Sequence, residues 1–254
     1  MERLAQNFSK YFRVGLAVTR QQQRYAYAIR YQVYAAELGW EPLNDSHLEF
    51  DECDDYSIHC LLEHKRSGEI AGCVRLVIPP LDKPDKKLPC QLHKIPMDKE
   101  QQLRFSAEEV GEISRLAVPS SFRRRAKEAG KPFILEDHNS TSIYTEEERR
   151  NFPNISIGLY LAAIAMVDLR ELDRALVVME PRLQRVLHRY GLFFHQISET
   201  FDLRGKRALF ELPRNELTIN MDLPLLELYR HIRRDLASQW QGGQSESINN
   251  HESL

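Results

Sequence analysis

No stretch of this sequence approaches the ~20 consecutive apolar residues that a membrane-spanning helix requires. The first residues also carry no apolar segment of the signal-peptide kind. A spanning or secreted protein is therefore not expected. Cysteine is scarce: Cys53, Cys60, Cys73 and Cys90 are the only four, and none forms a CxxC pair. That excludes a disulfide framework and the common zinc knuckles. His59 and His64 stand near Cys53 and Cys60, but in a strand they would face opposite sides, so no metal site is expected. No sign of charge dominates either: 35 Lys and Arg face 37 Asp and Glu, for a net charge of −2. A nucleic-acid-wide basic field is absent. Neither a Gly-x-Ser-x-Gly elbow nor a Walker motif occurs, which removes serine hydrolases and P-loop nucleotide hydrolases. What remains reads as a reduced, cytoplasmic protein of 254 residues, long enough for one sizeable core.

The apolar pattern alternates from Tyr11 to Val18, predicting a first strand. Thr19 is a candidate N-cap for a helix reaching Leu38, ended by Gly39. An acidic irregular stretch, Trp40 to Asp55, precedes an antiparallel hairpin of Ser57–His64 and Glu69–Ile78. A proline-rich connection follows, through Pro96. A polar insertion at about 123–154 separates a central strand from the apolar helix Ile155–Leu172. Strand Ala175–Met179, helix Pro181–Tyr190, strands Leu192–Ser198 and Ala208–Leu212 and helix Leu223–Trp240 complete the order. Residues 1–240 are thus expected to form a single domain, and 241–254 a disordered tail. Hairpin strands followed by βαβ units imply an α/β (α+β) fold with a mixed sheet and helices on both faces.

The central strand is Glu112-Ile113-Ser114-Arg115-Leu116-Ala117-Val118. Residues three apart in a regular strand point to opposite faces, so Glu112 and Arg115 pose a problem. Either a bulge turns both to one side, as bulges near active sites do, or the two form an internal ion pair that shapes the sheet.

This element order, together with five short motifs, resembles the GNAT-type N-acyltransferases. The motifs are Arg30-x-x-x-Tyr34, Gly39-Trp40, Asp51-x-x-Asp54, Gly72-Cys73-Val74-Arg75-Leu76 and Glu112-x-Ser114-Arg115. They are similar to those of the branch containing acyl-homoserine-lactone autoinducer synthases and long-chain N-acyl amino acid synthases. The PEP-CTERM/exosortase-associated acyltransferases belong there too, and the insertion makes these or the N-acyl amino acid synthases the closer likeness. The resemblance spans about residues 20 to 195 and implies a splayed, GNAT-like sheet. One departure is plain: after Val118 comes Pro119-Ser120-Ser121-Phe122-Arg123-Arg124-Arg125, without the glycines of the usual phosphate loop.

Aminolysis of an acyl thioester needs a base for the amine, and a carboxylate suits it. Glu112 is the expected base, as the resemblance also implies, with Arg115 beside it. Arg30 sits on a helix face that should be buried and needs a carboxylate partner, Asp51 or Asp54. The resemblance implies that Asp51 and Asp54 hold the acceptor's ammonium or pair with Arg30 and Arg75. It also makes Tyr34 and Trp40 pocket walls and runs a pantetheine arm past Leu116 and Val118. Arg123, Arg124 and Arg125 are placed for a pantetheine phosphate or an acidic carrier-protein helix. Ser156 and Gly158, at the next helix start, can meet a phosphate. The expected reaction moves a long fatty acyl chain from acyl carrier protein, or CoA, to a small amine such as an amino acid. The co-substrate is then an acyl thioester, and no permanently bound cofactor is expected. Lactone synthesis from S-adenosylmethionine is the alternative within enzymes, and a non-catalytic acyl-binding or partner-binding domain the alternative outside them. His188 or Tyr190 is the candidate acid for the leaving thiolate, since Leu187 fills the usual tyrosine position.

Overall fold

The computed structural model describes residues 3–80, 82–83, 85–97, 101, 105, 109–123, 145 and 151–246. The strands are β1 (Phe12–Leu16), β2 (Ser57–His64), β3 (Ile70–Val77), β4 (Val110–Ala117), β5 (Arg174–Met179), β6 (His195–Gln196), β7 (Phe201–Asp202) and β8 (Lys206–Pro213). The helices are α1 (Arg3–Tyr11), α2 (Arg20–Arg30), α3 (Pro89–Leu92), α4 (Pro153–Leu169), α5 (Pro181–Arg189) and α6 (Leu223–Glu246). The sheet runs β1-β2-β3-β4-β5-β8-β6, with β7 paired to β8. Only the β4–β5 pair is parallel among the described strands.

Two irregularities shape β4. Against β3, Cys73 pairs with Ala117 and Arg75 with Ser114, so β4 spends one more residue than its partner. The extra residue is accommodated at Arg115, whose φ of 51° is left-handed. Against β5, β4 pairs only from Val110 to Ile113. Beyond that point β5 keeps its partner β8 while β4 keeps β3, and the two central strands part.

The larger core lies on the face covered by α1, α4 and α6. Helix α4 is apolar all round and therefore buried, with Leu161 through Val167 at 1% exposure or less. Helix α6 buries a stripe of Leu225, Leu228, Ile232 and Leu236, each side chain worth roughly 1.5–3 kcal/mol. Its Gln239 then accepts from the Leu16 amide of β1 at 2.8 Å. Helix α2 and the 52–56 turn cover the opposite face.

The N-cap reading of Thr19 meets a capping box with Gln22. The helix does not continue as an α-helix to Leu38, however. It widens into a π-helical turn over Tyr31–Glu37 before Gly39, at φ 62°, ends it. Helix α1 was not anticipated, although Leu4, Phe8 and Tyr11 have helical spacing. The expected strand Leu192–Ser198 contracts to β6. Helix α6 runs to Glu246, into the stretch expected to be disordered; 247–254 and most of the 123–154 insertion lie outside the described residues.

Candidate functional site

Three arginines from three elements meet three carboxylates on the α2 side of the sheet. Arg30 donates to Glu49 at 2.5 Å and to Asp54 at 2.7 and 3.0 Å. Arg75 donates to Asp54 at 2.7 Å and Asp51 at 2.6 Å. Arg115 donates to Asp51 at 2.9 Å and Glu49 at 3.1 Å. Each carboxylate thus bridges two arginines and each arginine two carboxylates, closing a ring of six with no net charge. Arg30 and Arg75 are buried, and a buried guanidinium is tolerable only with such partners. Burial opposes ionisation of Asp54, but hydrogen bonding and charge from Arg30, with the charge of Arg75, hold it well below the usual carboxylate range. Asp51 is likewise lowered, against its burial, by Arg75 and then Arg115.

Glu112 stands beside this ring and outside it. The bulge puts Glu112, Ser114 and Arg115 toward the same cleft, and no arginine forms an ion pair with Glu112 among the described residues. Its carboxylate accepts instead from the Cys90 amide of α3 at 2.8 Å. The side chain is 2% exposed, and burial pushes its pKa up to about 7, against the pull of the Cys90 bonds and of Arg75 and Arg115. A carboxyl in this state exchanges protons at neutral pH.

The cleft begins where β4 and β5 part and encloses about 170 Å³. One wall is aromatic: Tyr34 stacks on Trp40 with centroids 6.0 Å apart, and its hydroxyl donates to the Leu116 carbonyl at 2.8 Å. The π-helical turn makes this possible, because the Trp40 amide donates to the Tyr34 carbonyl at 2.7 Å. The opposite wall is Val178, Leu183, Leu187 and Phe194, from β5, α5 and the segment before β6. His93, Arg204 and Arg207 close the remaining side. Burial, then the charges of Arg115 and Arg204, lower the His93 pKa.

Residues 29–130 match the acetyltransferase (GNAT) domain family. The fold is GNAT-like, and this match supports an acyltransferase enzyme. Among solved structures, FeeM, an N-acyl amino acid synthase from uncultured soil microbes, is similar with a TM-score of 0.55 at 10% identity, covering 85% of this chain and 96% of that one. TofI, in a ternary complex with an inhibitor and MTA, has a TM-score of 0.54 at 19% identity, covering 85% and 99%. The CoA-dependent acyl-homoserine lactone synthase BjaI, with SAM and isopentyl-CoA, has 0.51 at 15%, covering 87% and 99%. At these identities the likeness is one of fold. No curated protein matches the sequence.

The expected site residues divide. Glu112, Arg115, Tyr34, Trp40 and Leu116 line the cleft. Arg30, Arg75, Asp51 and Asp54 lie behind it in the ring. The residues expected at the donor site are placed as follows. Val118 packs in the core at 2% exposure. Arg123 is ion-paired with Glu37, which also accepts from Ser120; the pair ties the end of β4 to the π-helical turn. Arg124 and Arg125 lie outside the described residues. Ser156 is not a cap, because α4 already begins at Pro153. Gly158 faces Phe8: a Cβ there would lie 2.4 Å from the ring, so it serves the packing of α1 on α4. His188 stacks on Phe193 at 4.0 Å and Tyr190 is exposed, and neither lines the cleft.

The sequence reading missed Glu49, His93, Arg204 and Arg207. Glu49 was one of many acids in its loop, with no signal to separate it. Glu41 pairs with Arg204 at 2.8 Å. The basic hairpin Arg204-Gly205-Lys206-Arg207 was a usable signal, since Gly205 marks the turn between β7 and β8.

Proposed function

We propose that this chain is an N-acyltransferase that moves a fatty acyl group from the thioester of acyl carrier protein, or of CoA, to the amine of a small acceptor such as an amino acid. The observation that carries this reading is Glu112: a buried carboxyl without an ion pair among the described residues, near neutrality in pKa, at the point where the two central strands part. It takes a proton from the acceptor's ammonium. The freed amine attacks the thioester carbon, a C–N bond forms as the C–S bond breaks, and the electron pair leaves on the thiolate, which takes up the second proton, lost from the nitrogen as it becomes an amide. Among the described residues β4 has no strand partner on its β5 side beyond Ile113, which leaves backbone N–H groups for the developing oxyanion. One such donor is worth about 3 kcal/mol.

The ring of charges supports this chemistry by position. It fixes the left-handed Arg115 and so the bulge that aims Glu112. The donor arm lies in the gap between β4 and β5, with the acyl chain along Val178, Leu183, Leu187 and Phe194. Helix α5 favours a carrier protein as donor: Leu183 and Leu187 face the cleft, while Arg182, Arg185 and Arg189 are exposed on its outer side. That face suits an acidic helix. The long connection between β4 and α4 favours the N-acyl amino acid or exosortase-associated branch over a compact autoinducer synthase. Four free, buried cysteines suit a reducing cytoplasm. No helix among the described residues is long and apolar enough to cross a membrane.

The test is incubation with acyl-carrier thioesters and a pool of amino acids, followed by mass spectrometry of N-acyl products. Glu112→Gln should lower turnover by roughly 10²–10⁴-fold, the usual contribution of a general base, with its circular dichroism unchanged. Near-normal turnover removes the assignment.

A further inference from the structure

The cleft holds a cation that acyl transfer itself leaves unused. Arg207 is 8% exposed and lines the same cavity as Glu112. Among the described residues its company is thin. Its Nε reaches the Leu203 carbonyl at 3.4 Å, and the carboxylate of Glu180 stands 3.6 Å from its Nη1. By contrast, Arg30, Arg75 and Arg115 each hold two carboxylates at hydrogen-bond distance. A guanidinium offers five N–H donors, and burying one without a matched anion is costly.

What does hold Arg207 is an aromatic face. Its Cζ lies 5.7 Å from the Trp40 ring, which is itself backed by Tyr34. Arg204 approaches the same ring at 5.9 Å and is anchored to Glu41 at the rim. Stacking engages the plane of a guanidinium and leaves its fork free for a bidentate acceptor. The cavity lining therefore includes both a proton-accepting carboxyl and an under-paired guanidinium. A ligand that matches both carries an ammonium and an anion.

We propose that Arg207, assisted by Arg204, binds the carboxylate of the acceptor, and that the acceptor is an amino acid whose amine is delivered to Glu112. This rests on N-acyl transfer at Glu112, but carboxylate binding can be measured without turnover.

Titration calorimetry with N-dodecanoylglycine and N-dodecanoylglycinamide isolates it, because the two probes share acyl chain and amide and differ only at the carboxylate. The wild type should bind the acid roughly ten- to a hundredfold more tightly, the range of hydrogen bonds to a charged group. Arg207→Met should bind both probes with the wild type's affinity for the amide. Arg207→Lys, which keeps charge and bulk without the fork, should show an intermediate preference and carries the test where the Met variant does not fold. Equal affinities in the wild type, binding of neither probe, or an undiminished preference in the variants overturns the proposal. Acid-selective binding by a wild type that transfers no acyl group to glycine upholds the carboxylate site and instead removes the transfer reading.

Discussion

A carboxyl kept near neutrality by burial bears on the fold as well as on the reaction. Folded Glu112 holds its proton up to about pH 7, against an ordinary value of 4.5. Between those values the folded chain binds a proton that the unfolded chain releases, so its contribution to stability declines as pH rises through that window. Above it, the ionised group costs about 3 kcal/mol at roughly 1.4 kcal/mol per unit. Urea unfolding should therefore find Glu112→Gln more stable than the wild type at about pH 8, with the gain gone near pH 4. A difference independent of pH would contradict this origin. The oddity of Glu112 was legible in the sequence, because a charge three residues from another in an apolar strand demands an irregularity. The choice between bulge and ion pair was not, since it depends on Glu49 and Asp51 capturing Arg115 from a distant loop.

At the scale of elements, the parting of β4 from β5 and the orientation of α5 set the site. Helix α5 starts at Pro181 as expected, and its two faces separate cleanly because Leu183 and Leu187 are four residues apart. Replacing Arg182, Arg185 and Arg189 by Glu should raise the KM for a carrier-bound donor at least tenfold and leave the KM for the corresponding acyl-CoA unchanged. Equal effects on both donors would place the helix outside carrier docking. Steady-state kinetics with the two donors measures this. The π-helical turn was invisible to a pattern built on a period of 3.6, because Val33 and Tyr34 sit on an apolar face in either geometry. Yet that turn stacks Trp40 on Tyr34. The bare packing of α1 on α4 explains why Gly158 is glycine, a requirement that reads the same in sequence as a phosphate contact.

Across the whole molecule, the six-membered ring joins α2, the acidic loop, β3 and β4, so the site and the fold share one set of interactions. Asp54→Asn leaves Arg30 and Arg75 short of charge and should destabilise the protein by about 3–5 kcal/mol at neutral pH, as loss of one partner in a buried pair does. Asp54 is depressed when folded, so its contribution is complete above the ordinary carboxylate value near 4 and is lost as pH falls below it. The wild type should lose stability below about pH 4 more steeply than Asp54→Asn, which thermal unfolding across that range can follow. The element order, the mixed topology and most of the cleft's near wall were readable from alternation, caps and motif spacing. The side closed by His93, Arg204 and Arg207 was not, because α3, the β7–β8 turn and β8 come together only through long-range pairing.

The most direct measurement of the central claim is the single-turnover rate of acyl transfer as a function of pH, in the wild type and in Glu112→Gln. With Glu112 as the base, the wild-type rate rises with an apparent pKa near 7, and the variant is slow throughout with that limb absent. A Glu112→Gln variant that keeps both the rate and the limb would contradict the account.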